Sequence, residues 1–207
     1  MGGIVVCGAG GLGREVIDML EGMNSDALWE IAGFADAEPR GPVNGYPVMS
    51  EDDLLNCKEP VDAVIAVGFP EAREKIYRRL SQNPNIRFPA IVHPTSRIGR
   101  GVDLPDGLLV CAFCGVSPNA VLGRGVLLNG YCAVGHDVRI GDFSAMMAYS
   151  LLAGNVKMGS GVLAGAGSVV VQGLTIGDGA ELCAGSVVVR DVKARSKVMG
   201  NPARAIA

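Results

Sequence analysis

The sequence predicts an α/β unit followed by a parallel β-solenoid, and three observations carry that expectation. Over about the first 90 residues, apolar runs alternate with helical patterns, the grammar of a parallel sheet with crossover helices. Between Ile98 and Val188 an aliphatic or small apolar residue recurs every six positions: Ile98, Leu104, Val110, Val116, Leu122, Leu128, Val134, Ile140, Met146, Leu152, Met158, Ala164, Val170, Ile176, Leu182 and Val188. A period this short marks a structure whose repeats bury their apolar side only by stacking on one another. The composition agrees. With 49% apolar residues, 30 glycines and only 5% aromatics, the chain suits thin, regularly turning β-structure better than a helical bundle.

In the first part, Gly3-Ile-Val-Val-Cys7 reads as a strand, and residues 14–21 as a helix with Val16, Ile17 and Leu20 on one face. Residues 31–35 and 61–67 read as strands, 71–80 as a helix and 86–91 as a further strand. About four strands make half of a Rossmann fold. Pro84, Pro89 and Pro94 punctuate the transition. The expected domains are therefore 1–92 (half-Rossmann), 93–193 (β-helix) and 194–207, a capping tail that breaks the register. In the second part glycine often follows the hexad's aliphatic residue, as at Gly99, Gly123, Gly135 and Gly159. Four residues after each aliphatic position a second slot holds only small or apolar side chains, as at Cys114, Ala120, Ser150 and Ser168. Three hexads make an eighteen-residue coil, with neighbouring coils about 4.8 Å apart.

A net charge of -3 and a pI near 5.4 argue against a nucleic-acid surface. Lys193, Arg195, Lys197 and Arg204 cluster near the C-terminus, as a solvated tail or as a contact for an anionic ligand. No eighteen-residue apolar stretch is free of polar interruption, so membrane insertion is not expected. The chain enters a strand without a basic leader, and a cytoplasmic protein is expected. Of the six cysteines, Cys111 and Cys114 form one Cys-x-x-Cys pair with no second pair, so no metal is expected. Cys114 and Cys132 share a slot eighteen residues apart, and the cysteines read as buried free thiols.

Two stretches carry candidate chemistry. Gly8-Ala-Gly-Gly-Leu-Gly13 matches G-x-G-x-x-G between a strand and a helix. Glycines at 8, 10, 11 and 13 permit a tight turn, and the helix N-terminus offers N–H groups to a phosphate. Asp36 stands roughly where a dinucleotide site wants its acidic residue, but the missing second half of the fold counts against NAD. Some other nucleotide, or a turn needed only for packing, are the competing readings. His136 falls two residues after Val134, outside the core slots, and Asp137 follows it. A base titrating near neutrality suits acyl transfer to an amine or hydroxyl, and a carboxylate orients it. Gly154 lies one coil later, where its N–H can donate to an oxyanion. His93, before Pro94, reads as a structural residue, and two histidines are too few for a three-histidine zinc site.

With these residues assembled, the chain resembles the sugar O- or N-acyltransferases of the hexapeptide-repeat family, the type that includes sialic acid O-acetyltransferases and UDP-4-amino-sugar N-acetyltransferases. The resemblance rests on Gly8-Ala-Gly-Gly-Leu-Gly-Arg-Glu15, Gly33-Phe-Ala-Asp36, Val64-Ile-Ala-Val-Gly68 with Arg73, Gly135-His-Asp137, the hexads, Gly185-Ser-Val-Val188 and Gly200-Asn-Pro-Ala-Arg204. It implies a left-handed β-helix and a homotrimer with acetyl-CoA between adjacent subunits. It also implies a nucleotide-sugar substrate at Gly8, Gly10, Gly11, Gly13, Asp36, Gly68 and Arg73. His136 would be the general base and Asp137 its partner. Gly154 would bind the acetyl carbonyl, Ala166 and Ala184 the pantetheine arm, and Pro202 with Arg204 the nucleotide end of CoA. The implied reaction is direct transfer to a nucleotide-linked amino sugar, with a sugar or serine hydroxyl, or a non-catalytic nucleotide-binding trimer, as alternatives. The chain departs from the family pattern at Ala145, where many relatives carry a second histidine, at Ala148-Tyr149-Ser150 in place of a Pro-Gly turn, and at Phe69-Pro70.

Overall fold

The computed structural model describes residues 3–23, 30–39 and 41–206. The chain divides into two compact units, Met1–Gly68 with Ala72–Pro89, and Phe69–Glu71 with Ala90–Ala207.

In the first unit, five parallel strands lie in the order β3-β2-β1-β4-β5. They are β1 (Gly3–Cys7), β2 (Glu30–Asp36), β3 (Val48–Ser50), β4 (Val61–Ile65) and β5 (Ile86–Arg87). Ile4 to Cys7 are all buried, as a central parallel strand covered on both faces requires. Helix α1 (Gly11–Met23) buries Val16, Ile17 and Leu20 along one stripe. Two short elements escape periodicity: β3, and α2 (Glu51–Leu55), which a reciprocal Ser50–Asp53 capping box starts. Helix α3 (Pro70–Leu80) precedes β5. The single strand expected over 86–91 is two. Ile86–Arg87 pairs with β4, whereas Ile91–Val92 pairs with Leu109–Val110 in the second unit. Pro89 lies between them, and without an N–H it cannot continue a ladder.

The second unit is a three-faced parallel coil of two-residue strands. Face one runs through Ile91–Val92, Leu109–Val110, Leu127–Leu128, Ala145–Met146, Leu163–Ala164 and Glu181–Leu182. Face two holds Arg97–Ile98, Gly115–Val116, Ala133–Val134, Leu151–Leu152, Val169–Val170 and Val187–Val188, and face three Val121–Leu122, Arg139–Ile140, Lys157–Met158 and Thr175–Ile176. Within these three runs every pairing joins residues eighteen apart, as in Val134 with Leu152. The second residue of each strand points inward, and together these residues form one continuous core. The recurrent glycines have a steric cause. A Cβ on Gly135 would stand 2.6 Å from the Gly154 nitrogen, so the coil above leaves no room for a side chain. Each edge of the prism turns through a residue with positive φ, in columns such as Gly101, Asn119, Asp137, Asn155 and Gly173.

Two departures from the expected register appear. Leu104 is exposed rather than core, and face three begins only at Val121. The ladder needs the residue after the inward one to donate to the next coil, as Gly123 does to Ile140. Pro105 has no N–H to donate. At the far end, Glu181 pairs with Lys197 instead of a residue eighteen further on, so the register shortens by two. The segment beyond 193 then extends face one through Lys197–Met199, and Arg204–Ile206 closes it antiparallel. All six cysteines are free, but Cys57 and Cys183 are half-buried, not buried.

Candidate active site

In the first unit β2 lies on one side of β1 and β4 on the other, so the chain reverses direction across the sheet between β1 and β4. Ligands of open parallel sheets sit outside the carboxyl ends of the strands at such a point. The glycine-rich loop leaves β1 there. Gly8 has φ +101°, and a Cβ on Gly13 would lie 1.8 Å from the Gly8 carbonyl oxygen, so helix α1 can seat on the loop only with glycine. Gly10 and Gly11 have nothing within 4 Å of a Cβ position and leave the backbone open. Asp36 Oδ2 accepts from the Ala9 N–H at 2.7 Å, and Oδ1 from the Glu38 N–H at 3.1 Å. This carboxylate therefore holds the loop's own backbone. Arg73 is almost fully buried, and its Nη1 donates to the carbonyls of Val67 (2.7 Å) and Gly68 (3.1 Å). Burial lowers its pKa to about 10. The structure thus brings Gly8, Gly10, Gly11, Gly13, Asp36, Gly68 and Arg73 to one end of the sheet, with Asp36 and Arg73 directed at the backbone that shapes it.

In the second unit His136 and Asp137 sit on the edge between faces two and three. His136 Nδ1 lies 2.8 Å from Asp137 Oδ2, and the imidazole is more than half exposed. The second carboxylate oxygen of Asp137 accepts from Asn119 Nδ2 at 3.3 Å, one coil below. These bonds, that to His136 first, hold the Asp137 carboxyl below its ordinary range. With Nδ1 engaged, Nε2 is the open ring nitrogen. It faces Gly154: a Cβ there would come 2.5 Å from Nε2. The Asn155 N–H donates to the His136 carbonyl at 2.9 Å, locking the two coils together, while the Gly154 N–H has no acceptor among the described residues. An imidazole, a carboxylate bonded to it and an unengaged backbone donor thus share one edge.

Ala166 and Ala184 stack on a different edge, between faces one and two, with N–H groups that likewise have no acceptor among the described residues. One chain therefore does not bring them to His136. Pro202 and Arg204 are exposed, and Arg204 lines a groove of about 300 Å³ with Arg190, Asp191 and Lys193. His93 bonds locally to Thr95. Among the described residues no group of three or more His, Cys, Asp or Glu side chains is placed to hold a metal ion, and no helix is long and apolar enough to cross a membrane.

Residues 3–80 match the PglD N-terminal domain family. Over its whole length the chain is similar to WeeI from Acinetobacter baumannii AYE, with 30% identity, a TM-score of 0.93 and 100% of both chains covered. The chain belongs to the hexapeptide-repeat sugar acyltransferases. A histidine-to-asparagine variant of perosamine N-acetyltransferase from Caulobacter crescentus, in complex with CoA and GDP-perosamine, is 28% identical with a TM-score of 0.91, covering 100% of this chain and 98% of that one. The acetyltransferase domain of PglB from Neisseria gonorrhoeae FA1090, in complex with acetyl coenzyme A, is 29% identical with a TM-score of 0.88 and 98% of both chains covered. No curated protein matches in sequence. The β-helix of this acyltransferase is the left-handed one of its relatives. Sequence reasoning missed the aromatic column Phe113, Tyr131 and Tyr149. Its eighteen-residue spacing was visible, but the hexad pattern follows inward slots and these residues sit on an edge.

Proposed function

We propose that the protein is an acetyl-CoA-dependent N-acetyltransferase acting on an amino sugar linked to a nucleoside diphosphate. The observation that carries this is the edge where His136, bonded to Asp137, faces Gly154. Asp137 fixes the imidazole with Nδ1 protonated. His136 Nε2 then takes the proton of the sugar amine as its lone pair attacks the thioester carbonyl. The Gly154 N–H donates to the oxyanion that forms. When the carbon–sulfur bond breaks, the imidazolium returns its proton to the CoA thiolate. No acyl-enzyme intervenes, and no cysteine adjoins either histidine in sequence.

Gly10 and Gly11 would present the loop and the α1 N-terminus to the nucleotide phosphates, on a backbone shaped by Gly8, Gly13, Asp36, Arg73 and Gly68. UDP is the expected nucleotide, and the GDP-perosamine bound by the Caulobacter relative makes GDP the competing one. Ala166 and Ala184 would hold the pantetheine arm, and Pro202 with Arg204 the nucleotide end of CoA. These residues lie on another edge than His136, which supports the homotrimer that the family resemblance implies, with neighbouring chains completing each site. The test is steady-state acetylation across UDP- and GDP-linked amino sugars, sialic acid and serine. His136→Ala should lose about 10² to 10⁴ in kcat. Near wild-type turnover by the variant would overturn the base assignment, and turnover of a hydroxyl acceptor alone would overturn N-acetylation.

A further inference from the structure

On the edge between faces one and two, three successive coils place an aromatic residue at the turn. Phe113, Tyr131 and Tyr149 stack with ring centroids 4.9 and 4.7 Å apart, the upper pair almost parallel at 3°. They are 53%, 48% and 65% exposed. All three have positive φ, at 60°, 62° and 63°, a conformation that costs bulky L residues and that glycine adopts freely. The next two coils do use glycine there, at Gly167 and Gly185, with open space around each. The turn itself therefore does not require aromatic side chains. Packing does not either, since the rings stand outside the core. The column ends at Tyr149 beneath the bare Gly167 rung, which leaves one ring face open.

Face two lies between this edge and the His136 edge. Its outward residue is Arg97 in the first coil and thereafter Gly115, Ala133, Leu151, Val169 and Val187, whereas face three turns Val121, Arg139, Lys157 and Thr175 outward. A concavity of about 450 Å³ lies along face two. Face two is thus the apolar surface available for packing around the axis of the trimer proposed above. In a closed ring of three, each contact is head-to-tail. With face two toward the axis, the aromatic edge of one chain meets the His136 edge of the next. Tyr131 and Tyr149 flank His136 in sequence within one coil length, so they stand at its height.

We propose, resting on that reading, that the aromatic column is an acceptor-binding wall supplied in trans: Tyr131 and Tyr149 of one chain stack against the apolar face of the sugar whose amine is presented to the neighbour's His136. The negative face of an aromatic ring attracts the slightly positive C–H bonds on one side of a pyranose, leaving the amine and hydroxyls at the rim free to be held or to react. The column thereby sets acceptor specificity.

The experiment is calorimetric titration of the intact protein and of a Tyr131→Gly/Tyr149→Gly double variant with a UDP-linked 4-amino sugar, GDP-perosamine, UDP and GDP, with oligomeric state followed by light scattering. Glycine suits the turn, so the variant should fold and remain trimeric. It should bind the nucleotide sugar about 2- to 10-fold more weakly and the bare nucleotide unchanged, while Tyr149→Phe keeps wild-type affinity. Equal nucleotide-sugar affinity in the double variant overturns the proposal, as does a loss that only follows dissociation of the trimer. A wild-type protein that binds neither nucleotide sugar overturns the proposed function and this wall with it. Co-expression of His136→Ala chains with double-variant chains tests the trans arrangement. With His136→Ala chains in excess, most double-variant chains have a His136→Ala neighbour on each side, and the active sites should show the wild-type KM for the acceptor; a KM like that of the double variant places the column and base in one chain's site and refutes it.

Discussion

Gly154→Ala tests the active-site geometry directly. The added methyl would stand 2.5 Å from His136 Nε2 and 2.7 Å from Cε1, about 1 Å inside ordinary contact distance. The imidazole is the group that yields, because it is more than half exposed and on the surface, while the Gly154 backbone is tied into the coil through its carbonyl, which accepts from Gly173. In the proposed mechanism, moving the ring by about 1 Å draws Nε2 from the attacking amine, and it strains the 2.8 Å bond to Asp137. A misplacement of that size costs about 10² in rate. The substitution retains the backbone N–H, so the loss reports the displaced base and not a missing oxyanion donor. Gly154 needs no positive φ, so the fold should change by less than about 1 kcal/mol. The assay is kcat/KM with acetyl-CoA and the acceptor found by the panel, beside a thermal melt. Activity within threefold of wild type, in a protein that melts normally, would refute the stacking of Gly154 on the base.

The glycine-rich loop makes a paired prediction. Gly13→Ala drives a Cβ to 1.8 Å from the Gly8 carbonyl and should destabilise the protein by about 1–3 kcal/mol, whereas Gly10→Ala, with nothing within 4 Å, should stay within about 0.5 kcal/mol. Urea unfolding of both compares them, and equal midpoints would contradict the packing described. Asp137→Asn should lower kcat about 10-fold or more, because an amide holds the imidazole less well than a carboxylate. Its effect on stability has a defined pH window. The Asp137 carboxyl is lowered in the folded protein, so its contribution is present above the ordinary aspartate value near 3.9 and fades as pH falls through the lowered one. The melting difference between wild type and variant should therefore shrink as pH falls below about 4; a difference that persists unchanged to about pH 2 counts against the bond.

Much of this protein is legible in its sequence, for reasons that differ by element. The eighteen-residue step, the inward aliphatic slot and the glycine after it were readable because each coil meets the same neighbours in the same way, so one local rule repeats. The rule failed at Leu104, where Pro105 removes a donor, and after Val188, where the register shortens by two. Strand β3 and helix α2 were missed because three and five residues are too short to show a period. Residues 86–91 read as one strand since nothing local says that its halves pair in different sheets.

The sequence by itself determined the two grammars, the glycine-rich loop, and the setting of one histidine and its aspartate off the core slots. Only the tertiary structure decided what those residues face. It turned Asp36 and Arg73 onto the backbone of their own loop, and aimed Nε2, with Nδ1 held by Asp137, at the Gly154 that the eighteen-residue step already stacks on His136. It also gathered Phe113, Tyr131 and Tyr149, each unremarkable in its own turn, into a single exposed stack. The physical reason is common to all of these. Periodicity encodes which way a side chain points relative to its own strand, while hydrogen bonds and contacts between coils depend on where distant segments come to lie.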